Sequence, residues 1–237
     1  MQPKILFLDL ETSPLISYNW GIWEQNAIKL VKDWYLLCFA YKWADEKTVH
    51  VESLTNGRRS EKKLIEKLHR LYNEADIIVC HNGNKFDIKK SNAKFLEYGM
   101  IPPTPHQKID TLLEARKHFA LTSNKLNDIA ILLGIGEKVK HPGFEMWEGC
   151  MNGDQKWWSL MKKYNKQDVL LLEKVYNILL PWINRGKVAW DNRMQCPHCG
   201  SYDTQRRGAL DSLSGRFQRH QCRSCAKWFK GSKIIRK

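Results

Sequence analysis

The run Ile5-Leu-Phe-Leu-Asp9-Leu-Glu11 restricts this chain more than any other segment. Four uninterrupted apolar residues leave no polar face for water, so a strand made of them must be covered on both sides, deep in a layered α/β sheet. The run ends in carboxylates at positions i and i+2. Side chains two apart in a strand project to the same side, so Asp9 and Glu11 would leave the strand's C-terminal end together and open onto a site.

The remaining elements fit such a sheet. Residues 34–43 and 48–54 are β-rich and divided by the turn Ala44-Asp45-Glu46-Lys47, which predicts a meander with the first strand. Ser60 starts a helix whose Leu64, Ile65, Leu68 and Leu71 recur at spacings of three and four. Asp76-Ile-Ile-Val-Cys80 reads as a second buried strand, followed by the turn His81-Asn82-Gly83-Asn84 and a helix from Asp87 to about Tyr98. Two further elements cover 109–119 and 126–133. Asp154 caps a long helical region that runs to about Leu180, with a break expected near Lys163 and an end at Pro181. Strands first, then helices alternating with strands, predict an α/β sandwich around a mixed sheet over residues 1–184. Tryptophans 20, 23, 34, 43, 147, 157 and 158 are read as core or lid packing, with stacking on a base as the alternative for one or two of them, and Cys38, Cys80 and Cys150 as small buried apolar side chains.

Carboxylates recur at three places: Asp9-x-Glu11, Asp87 straight after a buried strand, and Asp168, which stands four residues after Tyr164 and so shares its helical face. Like charges brought to one point repel, and four converging carboxylates call for divalent cations. Hard oxygen ligands select Mg²⁺ or Mn²⁺. Two such ions about 3.5–4 Å apart suit phosphodiester hydrolysis. Asp110 and Asp128 are read as helix caps or solvated acids, and His81 as a turn histidine.

Asp9-x-Glu11, Asn82-x-x-x-Phe86-Asp87 and Tyr164-x-x-x-Asp168, in that order, resemble the three motifs of the DEDD 3′-to-5′ exonucleases, which have an RNase H-like fold. The Asn-x-x-x-Phe-Asp form is similar to the proofreading domains of family B DNA polymerases. Lys163 occupies the place of the histidine that one branch uses as a base, so Tyr164 marks the tyrosine (DEDDy) branch. The resemblance covers about residues 4–182. It implies that Asp9, Glu11, Asp87 and Asp168 bind two Mg²⁺ or Mn²⁺ ions, with Asp9 touching both, and that Tyr164 orients the attacking water. Asn82 is either a contact to the substrate's terminal nucleotide or a turn-stabilising side chain. The implied activity is trimming of single-stranded or frayed DNA. The alternatives are RNA as substrate, or a non-catalytic nucleic-acid adaptor on a nuclease fold; a DNA polymerase or repair protein is a possible partner.

Cys196-Pro-His-Cys199 and Cys222-Arg-Ser-Cys225 form two pairs separated by 22 residues. Four thiolates so spaced suit one structural, tetrahedral Zn²⁺, and residues 196–237 resemble a zinc ribbon, with 185–195 as linker. Gly200 permits the tight turn under the metal, whereas the second pair is followed by Ala226. Phe217, Trp228 and Phe229 are expected to form the ribbon's small core. The net charge is +14, and residues 185–237 hold 13 Lys/Arg against 3 Asp/Glu. This basic tail points to a polyanion, with Arg206, Arg207, Arg216, Arg219 and Arg223 gripping phosphates. No run approaches the roughly 18 apolar residues of a membrane span, and the start lacks a signal-peptide pattern, so a cytoplasmic protein with reduced thiols is expected.

Overall fold

A computed structural model describes residues 3–23, 26–54, 60–183, 195–213 and 215–234. Its centre is a five-stranded sheet built from β1 (Ile5–Thr12), β4 (Leu36–Trp43), β5 (His50–Ser53), β6 (Ile77–Cys80) and β7 (Gln107–Asp110), in the order β5-β4-β1-β6-β7. β1 pairs antiparallel with β4 and parallel with β6, which makes the sheet mixed and sets β1 in the middle. The demand for cover on both faces is met residue by residue. Leu6, Leu8 and Leu10 enter a core shared with α1 (Lys62–Glu74) and α2 (Asp87–Glu97), while Ile5 and Phe7 enter a second core on the opposite face. That second core includes residues of α3 (Thr111–His118) and α4 (Leu126–Leu132).

The helix α6 (Gln155–Leu179) links the two cores. Its 25 residues span about 37 Å. Trp158, Met161 and Tyr164 sit in the first core, and Val169, Leu172 and Val175 in the second. Asp154 caps it through Lys156 N at 2.8 Å. The break expected near Lys163 does not occur: Lys163 is exposed, and lysine is a good helix former on a solvent face. A short helix, α5 (Glu145–Met151), packs against α6.

Between β1 and β4 the chain makes a separate two-stranded hairpin, β2 (Ile16–Tyr18) with β3 (Lys29–Lys32), which the sequence pattern did not predict. Trp20 and Trp23 lie at its tip with 85% and 88% of their surfaces exposed, so they are not core residues. Trp34, Trp43, Trp147 and Trp157 are half-buried, and Trp158 is buried. Cys38, Cys80 and Cys150 are buried free thiols, as expected.

The C-terminal part forms a three-stranded antiparallel sheet of β8 (Thr204–Ser212), β9 (Gly215–Cys222) and β10 (Trp228–Lys233), in the order β10-β9-β8. Of its expected core, Phe229 is buried and stacks on His220 with ring centroids 5.5 Å apart. Phe217 is half-buried. Trp228 is 44% exposed and lies under the Arg219 guanidinium at 4.9 Å, a surface cation–π pair in place of core packing. The linker read at 185–195 lies, except for Gln195, outside the described residues. Among the described residues, no helix is long and apolar enough to cross a membrane.

Candidate active site

Asp9 and Glu11 continue the row of Ile5 and Phe7 on one face of β1, and α6 crosses that row where the apolar residues give way to acids. Tyr164 and Asp168, one turn apart, face it from the helix. Oxygens of Asp9, Glu11 and Asp168 all lie within 4.8 Å of one another. Asp87 stands beside this trio as the first residue of α2, with Oδ1 accepting from Leu10 N at 2.9 Å. Its place depends on the turn after β6. Asn82 there takes a left-handed φ of 63°, and a Cβ on Gly83 would fall 2.2 Å from Cys80 Cβ, so the backbone can pass only without a side chain.

Asp110 has a larger part than a cap. It caps α3 through Leu112 N and Leu113 N, and it also accepts from Asn82 N at 2.9 Å and Asn84 N at 3.0 Å, which pins the turn ahead of Asp87. His81 is a satisfied turn histidine, bonded to Thr111 Oγ1 and Asn124 O, with burial lowering its pKa to about 4. Asp128 lies within α4 and accepts from Ser123 Oγ at 2.5 Å.

Two further residues complete the site. Asn165 is fully buried and donates from Nδ2 to Asp9 Oδ2 at 2.6 Å and to Asp9 O at 3.2 Å. Its spacing of three from Asp168 on the same helix was a usable sequence signal. Lys138 had none: it comes from the loop between α4 and α5, where Lys138 N bonds Asn127 Oδ1 at 2.8 Å. Its Nζ lies 2.6 Å from Asp168 Oδ2 and 3.2 Å from the Tyr164 hydroxyl. From the same loop the His141 ring packs on Tyr164 at 5.0 Å.

Crowded carboxylates hold on to protons. Burial, then the charges of Asp168, Asp87 and Glu11, put the Asp9 carboxyl well above its ordinary range. Burial and Asp168 push Glu11 up to about 8, opposed by Lys138 and by a hydrogen bond from Trp147. Burial lifts Asp87 to about 7 against its hydrogen bond from Leu10. Asp168 is raised by burial, with Lys138 pulling it down. Burial raises the Tyr164 phenol, and the Asp168 charge adds to it.

A cation fits here on chemical grounds. Asp168 Oδ1 is buried with no hydrogen-bond partner among the described residues, although its other oxygen is held by Lys138. A buried carboxylate oxygen left without a donor, facing two more acid groups, is what a hard divalent ion satisfies.

A family model for the RNase_H superfamily matches residues 6–180. The chain belongs to the RNase H superfamily. No curated protein matches the sequence. Among solved structures, this RNase H superfamily chain is similar to the family B DNA polymerase from the hyperthermophilic archaeon Pyrobaculum calidifontis. The TM-score is 0.54 at 19% identity, over 76% of this chain and 25% of that one. The likeness is one of fold, and the chain spans about a quarter of the polymerase's length.

The second cluster of this RNase H superfamily member is Cys196, Cys199, Cys222 and Cys225, whose sulfurs all lie within 4.8 Å. Cys196 and Cys225 are 3.7 Å apart, and Cys199 and Cys222 3.6 Å. A disulfide needs about 2.05 Å, whereas four sulfurs at about 2.3 Å from a tetrahedral Zn²⁺ stand roughly 3.8 Å from each other. The spacing therefore fits zinc. Both cysteine pairs turn through a left-handed residue, Gly200 at φ 73° and Ala226 at φ 58°, so the alanine adopts the geometry expected of glycine. Of the five arginines assigned to phosphate binding, Arg206 and Arg207 are exposed on β8. Arg216 and Arg223 face Asp211 and Asp203 at 3.7 and 3.9 Å, and Arg219 bonds Arg207 O at 2.9 Å.

Proposed function

We propose that this chain is a metal-dependent 3′-to-5′ exonuclease of the tyrosine type, acting on unpaired or frayed DNA, with residues 1–184 as the catalytic unit and 196–237 as a basic zinc ribbon. One observation supports it above the rest: carboxylates from β1 and α6 converge within 4.8 Å, and one of their buried oxygens has no donor.

In this reading Asp9, Glu11, Asp87 and Asp168 hold two Mg²⁺ or Mn²⁺ ions. Bound there, the ions supply a nucleophile at neutral pH and charge stabilisation at the phosphate. The protein's own contribution is positional. Asn165 fixes the orientation of Asp9, and the Leu10 amide fixes Asp87. The Tyr164 hydroxyl is free of its own negative charge near neutrality and can hold a water beside Asp168. The Lys138 ammonium, already at Asp168 and Tyr164, can meet the charge of a phosphate entering the site. Asn82 and the exposed ribbon arginines would grip the strand. The buried free thiols of the main unit and the four-sulfur cluster suit a reducing, cytoplasmic setting.

The test is digestion of 5′-labelled DNA and RNA oligonucleotides with Mg²⁺, Mn²⁺ or neither, by wild type and Asp9→Ala. Ladders that shorten from the 3′ end in DNA, need the ion and vanish in the variant are expected. Cleavage of RNA alone would replace the substrate, and undiminished cleavage by Asp9→Ala would remove the mechanism.

A further inference from the structure

The hairpin β2–β3 is left unexplained by the catalytic reading. Tyr18, Trp20 and Trp23 are 63%, 85% and 88% exposed, Ile22 beside them is 90% exposed, and every residue of β3 is exposed. A two-stranded hairpin is marginal in water on its own, and a contiguous set of bare apolar side chains on a folded protein marks a surface that something covers.

Its position says what. The hairpin leaves β1 directly after Glu11 and Thr12. Its root is tied to the start of β4 by Ser13 N to Tyr35 O at 2.9 Å and Tyr35 N to Ser13 Oγ at 3.0 Å. Ser13 and Pro14 line a cleft of about 520 Å³ together with Glu11, Phe86, Phe144 and Trp147. The arm is thus continuous with the carboxylate site. Cations accompany the rings at the root: Lys32 lies 4.5 Å over Tyr35, and Lys90 3.7 Å over Trp34. Accessible indoles at the tip and ammonium groups over the rings at the root match a chain that alternates flat apolar faces with negative charges. That is an unpaired polynucleotide, whose base faces a duplex would hide.

We infer that Trp20 and Trp23, with Tyr18, form a stacking arm for the unpaired bases of a strand whose end lies in the carboxylate cleft. The inference rests on the nuclease reading and extends it to how single-stranded substrate is selected. Stacking tolerates any base, so the arm would confer preference for unpaired structure rather than for sequence.

The test is fluorescence anisotropy on the full zinc-loaded chain without added Mg²⁺ or Mn²⁺, so that binding is read apart from hydrolysis. The probes are a labelled single-stranded oligodeoxynucleotide, the matching oligoribonucleotide and the blunt duplex. Trp20→Ala/Trp23→Ala is expected to lose at least about tenfold in affinity for the unpaired strands and little for the duplex, with an unchanged salt slope because no phosphate contact is removed. Trp20→Phe/Trp23→Phe keeps most of the affinity. Equal binding by the alanine variant, or an equal loss on duplex, overturns the inference. So does a wild-type dimer, seen by light scattering, that the alanine variant converts to monomer while strand binding persists; the hairpin would then serve a second copy. Hydrolysis of a nitrophenyl ester of thymidine monophosphate by the wild type reports on the carboxylates alone. Its absence alongside the expected binding difference would sink the exonuclease reading and leave the arm standing.

Discussion

Raising the pH of the chain while it lacks divalent ions should destabilise it, and the site's geometry sets the window. Glu11 moves from an ordinary 4.5 to about 8, and Asp87 from 3.8 to about 7. A carboxyl whose folded value lies above its unfolded one binds its proton more tightly in the native state. Its contribution to stability is complete below the unfolded value and is lost as the pH rises through the folded value, here through about 7 and then about 8. At ~1.4 kcal/mol per pH unit, Glu11 alone could account for roughly 5 kcal/mol. That loss accumulates from about pH 4.5 to 8, so less than half of it falls above pH 6.5, and with Glu11 half-buried and Lys138 nearby the cluster as a whole loses about 2 kcal/mol between pH 6.5 and 8.5. That corresponds to a fall in Tm of about 4–8 °C for a chain of this size. The assay is thermal denaturation of protein dialysed free of Mg²⁺ and Mn²⁺, without a chelator so that zinc stays bound. Mn²⁺ should restore the lost stability, most strongly at pH 8.5, and Glu11→Gln should flatten the decline. A Tm that holds or rises across this window, or an equal decline in Glu11→Gln, would refute the reasoning.

Asn165→Ala removes the amide that fixes Asp9 and should cost about 2 kcal/mol of stability, with turnover falling more than tenfold in the oligonucleotide digest. Lys138→Met withdraws the ammonium that competes with a cation for Asp168; calorimetry should show tighter Mn²⁺ binding even as turnover drops, and weaker binding would refute that competition. Gly149→Ala would place a Cβ 1.9 Å from Trp157 Cδ1 and force α5 off α6, costing about 2 kcal/mol in chemical denaturation. Ala226→Gly relieves a left-handed alanine in the second cysteine pair and should stabilise the zinc module by about 1 kcal/mol, read as slower zinc loss to a chelator.

Much of the RNase H-like unit was legible because its elements carry local signals. The apolar run of β1, the two-residue step from Asp9 to Glu11, the four-residue step from Tyr164 to Asp168 and the Asp154 cap each follow from backbone periodicity, and the structure has all of them. The paired cysteines were equally plain, since metal-ligand spacing is short-range. Failures came where burial decides. Trp20 and Trp23 were read chiefly as packing because indoles are usually covered, yet on their hairpin they stand 85% and 88% exposed. Trp228 was assigned to the ribbon's core, although the small sheet buries Phe229 and leaves the indole to Arg219. The break expected near Lys163 overlooked that consecutive lysines on a solvent face cost a helix little.

The sequence by itself determined the layered α/β class, the central acidic strand, the order of the three acidic motifs and the four-sulfur cluster. Each rests on signals local to a short segment, such as the step from Asp9 to Glu11 or the three-residue step inside each cysteine pair, repeated in an order the chain itself displays. Only the tertiary structure decided that Lys138 reaches Asp168 across 30 residues, that Asp110 pins the turn before Asp87, and that Asn165 holds Asp9 across 156. Those contacts join segments whose separation is set by how sheet and helices pack, and no local period records that distance.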